Sequence, residues 1–442
     1  MQQLLSESVQ ASVRPHECFD TYYADPKNSK VQCFPSVVEN RFVTALPSLA
    51  SGSTSTITFN PDGAVSDIIV TAQLPLPAAP VAGGNAGDGL GLTRGWLYQM
   101  VQSISIRYAG SSTYFFGGEQ ELIECLAECE DSVKRDNLLA VGGAELRSYQ
   151  DWAIPSLRQA SIYIKLPHNS PSAQEKPISM PTDVFSAPMQ VQIQWKPFSS
   201  VVIANAITGA GTAATLAQVQ ATIPTQFSSA QMQFKQAHLA DRSDGAAVRE
   251  NLSKNALSIP LKNFMQFQFT AALPSQASSV YQVSLTGFRS GSVQGILVWA
   301  VANSSLTSVT AKNPLQYIPL QAVTLSVNGL VYFQSQNGNS QLWNLVEKKC
   351  ASQASTTALT WNSTTSVYDA TGIASYWTWI PFAQGVETLR DESMLTNGLG
   401  IANSVVNLQV DTGLASTDCT LYASYLYNCT FLASGGSGDY VF

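Results

Sequence analysis

The side chains best suited to metal binding or nucleophilic chemistry in this 442-residue chain are three histidines and seven cysteines. They are His16, His168 and His238, with Cys18, Cys33, Cys125, Cys129, Cys350, Cys419 and Cys429. A structural zinc site needs about four His or Cys ligands in compact spacing. His16 and Cys18 are neighbours in sequence but lack partners, and no two histidines stand at ligand spacing. Cys125 and Cys129 would share one side of a helix, where filling a core is the expected role. Gly291-Ser292-Val293-Gln294-Gly295 is close to a nucleophile elbow, but its serine stands one place too early. Asp62 and Asp67 are carboxylates of the kind a glycosidase pairs across its cleft, yet acids are ordinary in turns. The run Gly83-Gly84-Asn85-Ala86-Gly87-Asp88-Gly89-Leu90-Gly91 lacks the Lys-Ser/Thr ending and the strand-to-helix setting of a phosphate loop. It reads as a flexible connection. Trp299, Trp343, Trp361, Trp377 and Trp379 crowd the second half. They read as fillers of barrels and subunit contacts rather than as a sugar platform. No catalytic, cofactor-binding or metal-binding residue is assigned, and the expected function is not enzymatic.

Ala45-Leu46-Pro47-Ser48-Leu49-Ala50-Ser51 is nearly repeated by Ala272-Leu273-Pro274-Ser275-Gln276-Ala277-Ser278, about half the chain away. Three further echoes follow in the same order. Ser103-Ile104-Ser105-Ile106, Gly110 and Tyr114-Phe115 are answered by Thr324-Leu325-Ser326-Val327, Gly329 and Tyr332-Phe333. Tyr163-Ile164-Lys165-Leu166-Pro167 is answered by Trp377-Thr378-Trp379-Ile380-Pro381, and Val191-Gln192-Ile193 by Leu408-Gln409-Val410. Collinear echoes with slowly drifting spacing indicate one unit present twice. The first echoed segment is expected to mark an early strand of each unit and to be buried packing.

Within each unit, short runs such as Ser55-Thr56-Ile57-Thr58-Phe59 alternate polar and apolar residues and end in turn clusters such as Asn60-Pro61-Asp62-Gly63. Alternation buries one face, which predicts antiparallel sheets packed in pairs. Gly118 to Glu130 instead carries Leu122, Ile123 and Leu126 at helical spacing with acids on the other side. Ser340 to Glu347 reads as its helical counterpart. Each unit is therefore an antiparallel β-barrel with a short inserted helix.

The domain boundaries are read as an N-terminal arm over 1–38, a first barrel over 39–243, a connector over 244–254 and a second barrel over 255–442. In the arm, Leu5, Val9 and Val13 would share one side of a short helix ended by Pro15. It packs beneath or between subunits, or is a disordered terminus. The stretches 206–215 and 351–357 read as small-residue surface loops.

Charged residues make up 12% of the chain, about half the usual share, so large areas are expected to be covered by neighbours. A net charge of −7 without a basic run argues against sequence-specific nucleic-acid binding. Met1 to Glu7 has no basic start or long apolar core, which predicts no secretory leader. With an odd cysteine count, this points to free thiols made in a reducing cytoplasm. The sequons at Asn251, Asn303, Asn362 and Asn428 are then chance matches, and no apolar run is long enough to span a membrane.

Tandem barrels, low charge and the absence of a catalytic set together resemble the double jelly-roll major capsid proteins of double-stranded DNA viruses. The C-terminal Leu421-Tyr422-Ala423-Ser424-Tyr425-Leu426-Tyr427-Asn428 with Tyr440-Val441-Phe442 resembles the closing strand and tail of those proteins in polinton-like viruses and virophages. Leu285-Thr286-Gly287-Phe288-Arg289-Ser290-Gly291-Ser292-Val293 resembles an early segment of their second barrel. Ala237-His238-Leu239-Ala240-Asp241-Arg242 resembles the barrel junction of the giant-virus branch, without its tyrosines.

The resemblance implies an all-β fold of two tandem eight-stranded antiparallel jelly-roll barrels. It implies pseudo-hexameric homotrimers tiling an icosahedral shell, with penton and minor capsid proteins as partners and with or without an inner membrane beneath. Two other readings compete. One is a carbohydrate-binding or carbohydrate-active β-sandwich, which would normally carry a leader and paired cysteines. The other is a minor capsid or spike protein, which would normally need one roll rather than two.

Overall fold

The computed structural model describes residues 37–59, 63–110, 112–128, 132–164, 166, 180–182, 185, 187–204, 214–239, 254, 257–289, 291–302, 318, 320–335, 356–362, 367–374, 377–382, 398–412, 418–434 and 436–442. Eight principal strands come first: β1 (Val37–Ala45), β2 (Thr54–Thr58), β3 (Ala64–Gln73), β4 (Val101–Tyr108), β5 (Ser112–Phe116), β6 (Gln159–Ile164), β7 (Gln190–Trp195) and β8 (Ser229–Leu239). Eight more follow: β9 (Leu257–Leu273), β10 (Val280–Leu285), β11 (Val293–Ala302), β12 (Ala322–Val327), β13 (Leu330–Ser335), β14 (Trp377–Pro381), β15 (Val406–Asp411) and β16 (Cys419–Ser434). A last strand, β17 (Ser437–Val441), pairs with β16.

The first set forms sheets of order β1-β8-β3-β6 and β2-β7-β4-β5, and the second forms β9-β16-β11-β14 and β10-β15-β12-β13. Each set thus joins its first, eighth, third and sixth strands in one sheet and its second, seventh, fourth and fifth in the other. All these pairings are antiparallel. The same topology twice in one chain is what the collinear echoes predict.

Strand character follows from the alternation. In β7, Val191, Ile193 and Trp195 point into the first barrel while Gln192 and Gln194 stay out. In β15, Val406, Leu408 and Val410 do the same for the second. Each inward residue removes apolar area from water at roughly 25 cal/mol per Å².

Three details depart from the sequence reading. The echoed Ala-Leu-Pro-Ser segments do lie at the same place, leaving β1 and β9, but only Leu46 and Leu273 in them are buried. They are mostly exposed turns rather than packing. The echo between β4 and β12 also runs out of register. Ala109-Gly110 and Asn328-Gly329 have positive φ and make the β4–β5 and β12–β13 turns, placing Tyr108 opposite Ser112 and Val327 opposite Leu330. Tyr108 is therefore equivalent to Val327, two residues beyond the match by composition. A slip of two leaves every side chain on its own face, so the pattern could not reveal it.

The third departure is the glycine-rich stretch. Instead of a flexible connection, it is built into the first barrel. Leu90–Gly91 pairs with Ile203–Ala204, and Trp152 Nε1 donates to Leu90 O at 2.9 Å. Gly87, at φ 77°, lies under the Trp152 ring, where an added Cβ would come within 2.6 Å of the indole.

Helices α1 (Trp96–Met100), α2 (Gly118–Glu128) and α3 (Ser132–Val141) belong to the first barrel, with α2 and α3 between β5 and β6. The predicted helix is therefore present over Gly118–Glu128, and Cys129 and Glu130 lie outside the described residues. Two of the helix's acids are not on a solvent side: Glu119 and Glu121 are buried, as is Gln120 between them. The counterpart over 340–347, all of the arm over 1–38 but Val37 and Val38, and most of the 206–215 and 351–357 loops and of the connector lie outside the described residues. Among the described residues, no helix is long and apolar enough to cross a membrane.

Candidate functional site

The chemistry-bearing residues singled out from sequence do not converge. His16, Cys18, His168 and Asp62 lie outside the described residues, and His238 is on β8 opposite Val38. Asp67 is part of a sheet-surface network: it pairs with Lys235 at 2.8 Å and accepts from Tyr163 Oη at 3.1 Å. In the elbow-like segment, Ser292 Oγ accepts from Gly398 N at 3.2 Å. Its glycines are packing positions. A Cβ on Gly295 would come within 2.3 Å of the Trp379 ring, and one on Gly291 within 2.6 Å of Phe442 backbone. Among the described residues, no three His, Cys, Asp or Glu side chains gather as a metal site.

What the fold does assemble is a seam between the barrels. β11 is the sequence run Val-Gln-Gly-Ile-Leu-Val-Trp-Ala-Val-Ala, apolar at nearly every position. Its alternate residues serve two cores. Ile296, Val298 and Ala300 face the interior of the second barrel, while Leu297, Trp299 and Val301 belong to a cluster continuous with the first. A strand with a continuous apolar run is a strand covered on both sides, and this signal was legible in the sequence.

The seam is aromatic. Trp299 stacks on Tyr422 at 5.4 Å with an 8° interplanar angle, and Phe267 lies 5.6 Å from Tyr422 and 5.7 Å from Phe115 of β5. Trp299, Trp377 and Trp379 are buried, so these tryptophans fill barrel contacts as expected. Trp343 and the side chain of Trp361 are outside the described residues.

Polar contacts fix the register of one barrel on the other. Tyr114 Oη donates to Met265 O at 2.7 Å, Ser424 Oγ donates to Gln120 Oε1 at 2.7 Å, and Gly438 N donates to Ala109 O at 2.8 Å. Glycine permits this approach, since a Cβ on Gly438 would come within 3.0 Å of Ala109 Cβ and within 2.6 Å of the Phe431 ring.

At the centre of the seam, Lys196 pairs with Glu119, and its ammonium lies 5.6 Å from the Tyr422 ring centre. Glu119 Oε2 has no hydrogen-bond partner. Burial pushes the Glu119 carboxyl above its ordinary range, against the pull of Lys196. Burial alone would lower Lys196, but the Glu119 carboxylate and Tyr422 beside it carry it above the usual lysine range. The 77 residues separating Lys196 from Glu119 explain why no motif announced this pair. Among the described residues the arrangement is one of aromatic packing and a buried ion pair that join the barrels.

The described thiols Cys125, Cys419 and Cys429 are buried and outside any disulfide. Burial, with Asp418 beside it, pushes Cys419 up to about 11, and burial pushes Cys429 up to about 12. Since the thiolate is the reactive form, both should resist an aromatic disulfide reagent at pH 8 until the protein unfolds. Mass-spectrometric mapping of rapid, stoichiometric labelling at either residue in the folded protein would contradict this.

Two barrels of one topology, fused in tandem and welded along an aromatic seam, make this a double jelly-roll protein. No protein-family model matches the chain, and no curated protein matches it either. Solved structures do. The crystal structure of PBCV-1 VP54, fitted into a cryo-EM reconstruction of the virophage Sputnik, is similar with a TM-score of 0.57 at 12% identity, over 92% of this chain and 97% of that one. The quasi-atomic model of the PBCV-1 virus capsid is similar with a TM-score of 0.57 at 11% identity, over 92% and 97%. The cryo-EM structure of the Sputnik virophage is similar with a TM-score of 0.50 at 12% identity, over 95% and 92%. At these identities the likeness is one of fold, and it extends across both barrels.

Proposed function

We propose that this chain is a major capsid protein, structural rather than enzymatic, located in the shell of a DNA virus. The observation that carries the proposal is the repetition of one eight-strand topology in a single chain, in the fold seen in the PBCV-1 capsid. Three chains with two barrels each present six similar sides and fit six neighbours, so homotrimers would tile an icosahedral face. The division into an arm over 1–38, barrels over 39–243 and 255–442 and a connector over 244–254 belongs to this reading. So do contacts with penton and minor capsid proteins. The sparse charge supports wide coverage by neighbours.

Light scattering on the purified protein at micromolar concentration tests the capsomer. A mass of three chains is expected, and a clean monomer would overturn it. In purified particles this chain should dominate the protein mass, whereas a spike or vertex protein would be present in few copies.

A further inference from the structure

The two barrels of the chain are held together at two places. The first is the aromatic seam along β5, with the Lys196–Glu119 pair just past the end of that strand. The second lies beyond the opposite end of β5 and is made by a different element. There the β4–β5 turn meets β17: Gly438 N donates to Ala109 O at 2.8 Å, and Gly438 forms a parallel bridge with Gly110. The five residues of β5, about 17 Å of extended strand, separate this bond from the buried ion pair.

The local structure of β17 suits the second contact. It returns along β16 through a two-residue connection, with Ser434 opposite Ser437 and Gly436 at φ 81°, as a tight hairpin favours. Its residues alternate, so that Gly438 and Tyr440 are buried while Ser437, Asp439 and Val441 are exposed. Gly438 stands opposite Ala433 of β16, and because its N–H points at Ala109 it lies at a position that is not hydrogen-bonded to β16. Aromatic rings from both barrels back this bond. Tyr108 lies 5.4 Å from Phe431 and 5.0 Å from Phe185, and Tyr440 lies 5.3 Å from Phe431.

We propose that β17 is a strap that sets the angle between the two barrels. A seam made along one strand joins two bodies but leaves them free to roll about that strand. A second attachment beyond its end, carried by a separate element, removes this freedom. Because β17 follows both barrels in the chain, it docks only after both have been made. The proposal concerns the chain itself; under the shell reading, a fixed angle keeps the outline of three chains close to six-sided.

The test removes the second attachment and leaves the seam intact. Gly438→Pro deletes the N–H that reaches Ala109 and keeps the β16 pairing, since proline is tolerated where a strand's N–H faces away from its ladder. Nitroxide labels on Thr56→Cys and Gln282→Cys, exposed on β2 and β10, report the angle by electron–electron double resonance. The labelled chain also carries Cys18→Ser, Cys33→Ser, Cys129→Ser and Cys350→Ser, and it is diluted with unlabelled protein. Without the strap substitution, one narrow distance is expected. Gly438→Pro should broaden it while circular dichroism stays the same. If the proline variant does not fold, Gly438→Ala takes its place, its Cβ coming within 3.0 Å of Ala109 Cβ. A folded variant that keeps the narrow distance, even with a lower melting temperature, would overturn the inference, as would a broad distribution with Gly438 in place. Neither result bears on the mass of the capsomer, so the shell reading is tested separately.

Discussion

Replacing Trp299 with alanine is expected to destabilise the protein by about 3–5 kcal/mol, the usual cost of emptying a fully buried aromatic site. Trp299 stands where both barrels meet, stacked on Tyr422 and close to Phe267. Among the described residues its indole Nε1 has no hydrogen-bond partner, so the loss is one of packing rather than polarity, and Trp299→Phe should cost much less. The apolar cluster that includes Trp299 runs from the first barrel into the outer sheet of the second, so the wild type should unfold as one cooperative unit. In Trp299→Ala the coupling is weakened, and guanidinium unfolding followed by fluorescence and circular dichroism should no longer coincide. A loss below about 1 kcal/mol, within the range of an ordinary surface substitution, together with coincident transitions, would mean that the seam does not couple the barrels.

The second large effect concerns Lys196. Truncating it to methionine leaves the Glu119 carboxylate buried without its cation, which costs about 3–5 kcal/mol when one partner of a buried pair is removed. Removing both charges is different. Lys196→Met combined with Glu119→Gln should recover most of that loss, because the buried charge has gone rather than been stranded. The pH dependence carries the sign. A carboxyl whose folded pKa is raised favours the folded state in its protonated form, so its stabilisation is complete below the unfolded carboxylate range and is lost as pH rises through the folded value. Burial already raises Glu119 with Lys196 present, and without the ammonium it must rise further. The stability gap between the single and double variants should therefore narrow as pH falls from neutrality. Urea midpoints measured at several pH values check this, and a gap independent of pH would mean that Glu119 is not the stranded charge.

Much of the architecture could be read before any coordinates. Alternation in runs such as Gln190–Trp195 is enough to make a half-buried strand, because side chains on a pleated backbone point to opposite faces. The duplicated Ala-Leu-Pro-Ser segment fixed the correspondence of β1 with β9, and the nearly continuous apolar run of β11 is the mark of a strand covered on both sides. These are local or periodic signals, carried by neighbouring residues.

The tertiary structure alone decided the rest, since it depends on contacts between residues far apart. Nothing near Gly87 in sequence predicts the Trp152 ring that makes the glycine necessary, and nothing near Glu119 predicts Lys196. A two-residue register slip between β4 and β12 preserves every face, so it leaves no trace in the pattern. The outer faces of two equivalent sheets are both strands by composition, yet among the described residues it is the second barrel's face whose tryptophans pack into the cluster of the other barrel. Which face packs against the other barrel depends on how the barrels are placed in space, and that placement turns a duplicated sequence into a molecule with an internal seam.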